Sequence, residues 1–211
     1  MDLLVVTAVA AERRAVLAGL GPRGAPVEEP GTAPVHVAVV GVGPAMAAAV
    51  TAWILVGRAY RGVVSAGVGG GFAGRVAVGG IVVATASVAA DLGAESPDGF
   101  IPIEDLGFGT SRLPADPALF PVPGATVGEV LTVSTVTGTV ASTDELLKRH
   151  PAAVAEGMEG YGVATAAARA GIPFAEIRAI SNLIGPRDRS AWRLDAALGA
   201  LTTAFSEGGG P

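Results

Sequence analysis

Two short runs near the C-terminus carry residue types able to work on a polar ring compound: Glu156-Gly157-Met158-Glu159 and Ile180-Ser181-Asn182. The first opens a helix-like segment and the second closes a strand-like one. Tyr161, Val163, Ala164, Ala167 and Ala168 form a buried helical stripe over residues 159–170, Gly171 and Pro173 stop it, and residues 174–181 read as a buried strand. Since that strand runs back antiparallel to the helix, Glu159 and Asn182 are expected at one sheet edge. The carboxyl edge of strands is where open α/β sheets place ligands. Glu12 stands at the start of the helix that follows the strand 3–7 and emerges from the same kind of edge. An acid there complements the helix dipole in any case. Two carboxylates and an amide around one edge suit bond cleavage in a bound polar compound better than nucleophilic attack by the protein.

The elements that must position these groups alternate. Strand patterns at 3–7, 35–40, 62–66, 80–85 and 127–134 are interleaved with helical ones at 10–20 and 44–56. Gly41-Val42-Gly43 turns the second strand into a helix that begins with Pro44, the favourable first position. Residues 145–149 belong to a helix capped by Ser142 or Thr143, and a last helix is expected over 190–205. This order predicts a single α/β domain of 211 residues: three layers, with a mainly parallel or mixed central sheet flanked by helices. Residues 91–123 break the pattern with six prolines and little periodicity. A loop of this length is functional or a passive insertion, and the expectation is an excursion that covers substrate. The 208–211 tail reads as frayed.

Composition excludes several classes. Half the residues are hydrophobic but only 5% are aromatic, so the core is made of Ala, Val, Leu and Ile. A net charge of −5 without a Lys/Arg stripe argues against nucleic acid. No cysteine is present, which removes disulfides, thiolate chemistry and Cys-based zinc sites. His36 falls inside a strand and His150 at a helix terminus, neither with metal-ligand company, so no metal and no His-based triad are expected. The uncharged stretch 37–57 is interrupted by Gly41, Gly43 and Pro44 and is better explained as buried core than as a membrane span. With no cationic, apolar leader visible, a cytoplasmic location is expected.

Gly69-Gly70-Gly71-Phe72-Ala73-Gly74 matches a dinucleotide fingerprint, but a β-branched strand rather than a helix follows it. The glycines either let main chain approach a small ligand or simply make a turn.

Six segments taken together resemble the nucleoside phosphorylase/nucleosidase superfamily over nearly the whole chain: the run Val5 through Glu12, Gly41-Val42-Gly43, Ala66-Gly67-Val68-Gly69-Gly70, Val78-Gly79-Gly80-Ile81-Val82-Val83, Met158-Glu159, and Arg178-Ala179-Ile180-Ser181-Asn182. The resemblance implies N-glycosidic cleavage of a nucleoside, no cofactor, and a homodimer or higher homo-oligomer. Glu12 matches the glutamate of the bacterial methylthioadenosine/S-adenosylhomocysteine nucleosidases, while the Gly-Asp-Pro-x-Arg phosphate segment of the phosphorylases is absent. Water is therefore the implied nucleophile. Adenine-specific nucleosidases have aspartate where this chain has Asn182. A 6-oxopurine presents acceptors at N7 and O6, and an amide NH₂ suits both, so hypoxanthine or a related base is the expected leaving group.

The implied roles follow. Glu12, Asn182 and Arg178 form the catalytic set, with Glu12 deprotonating water, Asn182 binding the base, and Arg178 fixing the water or Glu12. Glu159 holds a ribose hydroxyl, Met158 packs on the sugar, and Ser181 orients the amide. Val68, Gly69, Thr137, Gly138 and Phe100 complete the expected binding set. Val68 replaces the family's loop serine and Gly157 its extra glutamate, for which Glu156 either substitutes or serves as a helix-start acid. Arg112, Arg187 and Arg189 are the candidates for a substrate carboxylate. The alternatives left open are an inosine nucleosidase or phosphorylase, a methylthioadenosine nucleosidase, and a nucleoside-binding module without turnover.

Overall fold

A computed structural model describes residues 1–29 and 31–208. The chain opens with β1 (Leu3–Thr7), α1 (Ala10–Leu20), β2 (Gly24–Pro26), β3 (Val35–Val39), α2 (Pro44–Gly57), β4 (Gly62–Gly71) and β5 (Ile81–Ala89). It continues through β6 (Gly93–Ser96), β7 (Gly99–Pro102), β8 (Arg112–Pro114), β9 (Thr126–Thr132), α3 (Val140–Arg149) and β10 (Ala153–Gly157). It ends with α4 (Gly160–Ala170), β11 (Phe174–Leu183) and α5 (Leu194–Glu207).

The strand order β10-β9-β5-β11-β4-β1-β3-β2 makes a mixed sheet, with β8 added to β5. β1, β3, β4 and β11 are parallel neighbours, and β5 turns the direction by pairing antiparallel to β11. β10 pairs with both β9 and β4, closing that end of the sheet into a ring. Both faces of β1 are buried, as its unbroken apolar run requires. Leu3 and Val5 pack with Val16 and Leu20 of α1 and Leu201 and Phe205 of α5, while Leu4 and Val6 pack with Ala47 of α2 and Val163 and Ala167 of α4. Each fully buried Val, Leu or Phe side chain here stabilises the fold by about 1.5–3 kcal/mol, and each alanine by less. The two helix pairs are the outer layers.

The expected three-layer architecture is present, with differences in detail. The last helix begins at Leu194, because residues 189–191 form a 3-10 turn, and the cap of α3 is Thr139, whose hydroxyl accepts from the Ser142 amide at 3.1 Å. β10 has little strand propensity and exists through its two partners. It separates Glu156 from the helix, so Glu156 is a strand residue and not a helix-start acid. Residues 91–123 are not one loop: β6 and β7 form a hairpin, β8 joins the sheet, and Phe120 returns to the core against Phe205 at 4.6 Å between ring centroids. Among the described residues no helix is long and apolar enough to cross a membrane.

α2 and α4 approach closely where they enter the site. A Cβ on Gly162 would stand 2.1 Å from the Pro44 carbonyl oxygen, which only glycine permits. That approach brings the start of α4 against the Gly43 turn.

Candidate active site

The carboxyl ends of β1, β4, β10 and β11 surround a cavity of about 640 Å³. Glu12 lies on its wall in the first turn of α1, 4% exposed. Its Oε2 accepts from the Ala8 and Val9 amides at 2.9 and 3.2 Å, and its Oε1 accepts from the Val68 amide at 2.9 Å. Three backbone donors from two strand ends thus hold one carboxylate. Burial pushes its pKa above the ordinary value, more than the Val68 amide and Arg178 draw it down. A base with a raised pKa, oriented by fixed donors, suits proton abstraction from water near neutral pH.

Glu159 sits at the N-cap of α4 without capping it. Its Oε1 accepts from the Gly43 amide at 3.2 Å and its Oε2 from Arg178 Nη1 at 3.1 Å. Arg178 is fully buried behind the cavity wall and also reaches Ser65 Oγ through Nη2 at 3.1 Å. Burial opposes its charge, but Glu176, Glu159 and Glu12 outweigh that and raise its pKa. It contacts Glu159 and not Glu12, so its hydrogen bond goes to the expected ribose-binding residue and not to the base.

Asn182 is aimed by an irregularity in β11. The register against β4 slips between Ile180 and Asn182, leaving Ser181 as the extra residue of a bulge, a device that re-aims side chains beside active sites. Ser181 Oγ donates to Asn182 Oδ1 at 2.8 Å, and Asn182 Nδ2 donates to the Leu183 carbonyl at 3.0 Å. One amide N–H remains for the cavity.

Of the expected residues, Glu12, Val68, Gly69, Thr137, Met158, Glu159, Ser181 and Asn182 all line this one cavity. Gly138 stands beside it, its carbonyl accepting from the Arg187 amide at 3.2 Å. Phe100 is elsewhere, a correction to the expected binding set: the β6–β7 hairpin turns its ring onto the Arg149 guanidinium, 4.3 Å from the ring centroid. No residue of 91–123 lines the cavity within this chain, so the expected cover over substrate is not formed by that segment here. Glu156 accepts from the Thr137 amide at 2.9 Å and from the Thr137 hydroxyl, and thereby ties the 133–139 loop to the site. Burial raises its pKa as well.

Comparison with known proteins gives the family and the fold. The family profile described as "Phosphorylase superfamily" matches residues 27–204. The futalosine hydrolase of Streptomyces coelicolor is 53% identical, the alignment covering 98% of this chain and 94% of that one. The chain belongs to the phosphorylase superfamily, in its futalosine hydrolase family. A second member of this family, from Acidothermus cellulolyticus, is 49% identical over 96% of this chain and 88% of its own. In fold, the chain is similar to a 5′-methylthioadenosine/S-adenosylhomocysteine nucleosidase from Neisseria meningitidis, solved with methylthio-immucillin-A, at a TM-score of 0.79, 20% identity and coverage of 98% and 97%. The native futalosine hydrolase of Helicobacter pylori strain 26695 gives a TM-score of 0.77 at 17% identity, covering 97% and 94%.

Two residues of the site were not read from the sequence: Trp192, which stands beside the candidate Arg187, and Glu176. Trp192 and Arg187 enter the cavity from the loop after β11, with the Arg187 guanidinium 5.3 Å from the Trp192 ring centroid. Glu176, two residues before Arg178 in an otherwise uncharged stretch of β11, accepts from the Arg178 Nε–H through its carboxylate at 2.9 Å. A Glu-x-Arg pair on one face of an apolar strand was the available signal.

Proposed function

We propose that this chain hydrolyses the N-glycosidic bond of futalosine, releasing hypoxanthine and leaving dehypoxanthinyl futalosine for menaquinone biosynthesis. The observation that carries the reading is the pairing, in one cavity, of a backbone-held Glu12 with an Asn182 amide that keeps one N–H for a base. The N-glycosidic bond breaks with its electron pair leaving on the base, which the Asn182 N–H hydrogen-bonds at N7 and O6 as the ribosyl group becomes oxocarbenium-like, and the released base takes its proton from solvent. Glu159 holds a ribose hydroxyl, and Glu12 takes a proton from water as it adds to the anomeric carbon. Arg178, bound to Glu159, fixes the ribose-binding carboxylate. Base release from futalosine, inosine and methylthioadenosine, each with and without phosphate, tests this. Hypoxanthine from futalosine at a phosphate-independent rate, with methylthioadenosine left intact, is the expected result. A requirement for phosphate would make the enzyme a phosphorylase.

The 5′ side of futalosine bears a carboxyphenyl ketone, and the three candidate arginines now differ. Arg112 is ion-paired with Glu129 at 2.8 Å on β8, and Arg189, 6.0 Å from the Trp192 ring centroid, does not line the cavity. Among the described lining residues Arg187 carries the one cationic side chain. We assign it to the carboxylate, with Trp192 beneath its guanidinium. Arg187→Met is expected to raise KM for futalosine by about 10- to 150-fold, the effect of losing a charged hydrogen bond of about 1.5–3 kcal/mol, while KM for inosine stays the same. An equal change for both nucleosides would remove Arg187 from this role.

Self-association belongs to the same reading. Val42, Met46, Trp53 and Val56 are 53, 53, 82 and 91% exposed and follow one another at helical spacing at the start and along α2. Val42 also lines the cavity, so a homodimer through this face would set the site beside the interface.

A further inference from the structure

One guanidinium stands among three buried carboxylates. Arg178 is 1% exposed, and Glu12, Glu159 and Glu176 are 4, 6 and 0% exposed. The guanidinium gives Nη1 to Glu159, Nη2 to Ser65 and Nε to Glu176 Oε1. Glu12 receives none of these bonds but is close by: a Cβ on Gly67 would lie 2.7 Å from Glu12 Oε1 and 3.0 Å from Arg178 Nη1. Glu176 does not line the cavity, and no step of the mechanism uses it. Burying a carboxylate is costly, and a well-packed apolar residue in its place is often neutral or stabilising. The fold nevertheless makes room for it. Gly160, the first residue of the helix that carries Glu159 at its cap, would place a Cβ 2.2 Å from Glu176 Oε2.

What Glu176 does to Arg178 is geometric. Arginine presents its donors in a rigid planar fork, so fixing one edge fixes the directions of the others. With Nε held by Glu176, Nη1 points to Glu159 and Nη2 to Ser65. Glu12 is left with backbone donors alone.

We propose that Glu176 is a positioning residue: by holding the Nε edge of Arg178 it directs the guanidinium to the ribose-binding Glu159 and keeps it from pairing directly with Glu12, the base. An unrestrained Arg178 would turn to Glu12 and hold it as a weakly basic ion pair. The inference rests on the reading of Glu12 as general base.

The charged and titratable groups around the pair define the expected pH behaviour. Glu12 faces Arg178 from β11 and Glu159 from the start of α4, together with the amides of residues 8, 9 and 68. Glu176 faces Arg178 and Glu159, with the Ser87 hydroxyl of β5 as its neutral neighbour, and its Oε2 has no hydrogen-bond partner among the described residues. Removing the Glu176 charge leaves more of the Arg178 charge to act on Glu12, which lowers the pH at which Glu12 ionises.

The test uses the full-length enzyme, with futalosine as substrate and Glu12→Gln as reference. Glu176→Gln is expected to lose about 10- to 100-fold in kcat, the range found when an outer-shell partner of a functional group is removed, with KM nearly unchanged and the acid limb of kcat moved to lower pH. Glu176→Asp keeps the charge but is a methylene too short to hold Nε, so Arg178 is released toward Glu12 and kcat falls with the acid limb again moved to lower pH, by less than in Glu176→Gln. A Glu176→Gln enzyme with wild-type kcat and acid limb, beside an inactive Glu12→Gln, overturns the positioning role and leaves the base assignment standing. Normal turnover by Glu12→Gln overturns the base assignment and this inference with it. If Glu176→Gln does not fold, Glu176→Asp decides alone: wild-type kcat in that variant overturns the proposal.

Discussion

Glu12→Gln is expected to hydrolyse futalosine about 10²- to 10⁴-fold more slowly than the wild type, the usual contribution of a general base, with substrate binding largely kept. Both oxygens of Glu12 accept from backbone N–H groups, Oε1 from Val68 and Oε2 from Ala8 and Val9. Whichever way the glutamine amide is placed, its NH₂ meets a donor. The unmet N–H costs about 1–3 kcal/mol, so the variant also unfolds more easily, and its rate must be expressed per folded molecule. Single-turnover hydrolysis at near the wild-type rate would exclude Glu12 as the base.

The pH profile gives a second reading of the same residue. Burial raises the Glu12 pKa above its ordinary 4.5, and only the ionised form is a base. Activity should therefore fall as pH drops through that raised value, with an acid limb that Glu12→Gln lacks. The stability linkage has the opposite consequence. A carboxyl with a raised folded-state pKa favours the folded state below about 4.5, and that contribution is lost as pH rises through the raised value. Buried Glu156 and Glu176 are shifted in the same direction by the same cause. The conditions that ionise the base are thus those in which the carboxylates around it weaken the fold, a familiar exchange of stability for activity.

Much of this arrangement could be read from the sequence because three of its residues end unmistakable elements. Glu12 follows the β-branched run of β1, Glu159 precedes an alanine-rich helix closed by Gly171, and Asn182 ends an apolar strand. Local chemistry fixes such boundaries. β10 was not legible because its Ala-Val-Ala-Glu-Gly sequence has no strand signal beyond its partners β9 and β4, and the place of Glu156 was misread with it. The Glu156–Thr137 contact spans 19 residues and has no periodic signature. Phe100 was misplaced for a different reason. The Ser96–Gly99 turn, closed by a 2.8 Å bond from Ser96 Oγ to the Gly99 carbonyl, doubles a polar-aromatic run back on itself where a long cover was expected. Sequence period reports which face a residue occupies, but the partner of that face is settled by packing.

Asn182→Asp is expected to lower kcat/KM for futalosine relative to that for methylthioadenosine by about 5- to 150-fold, which corresponds to about 1–3 kcal/mol for a buried polar group left facing the wrong partner. In the wild type Ser181 Oγ donates to Asn182 Oδ1, so the amide NH₂ faces the other way, with one N–H on the Leu183 carbonyl and one for the base. An ionised aspartate replaces that NH₂ with an acceptor. It then opposes N7 and O6 of a 6-oxopurine and the Leu183 carbonyl together. Protonation relieves one of these contacts, because the acid O–H donates once, and spent on the base it suits adenine better: the O–H meets N7 while the other oxygen accepts from the 6-amino group. The variant should accordingly gain on both nucleosides as pH falls toward the carboxyl range, whereas the wild-type amide has no such titration at this position. Measuring the ratio of kcat/KM values for the two substrates across pH separates specificity from general damage. A ratio that stays at the wild-type value, with both rates reduced alike, would mean that the Asn182 amide supports the loop through Leu183 and does not choose the base.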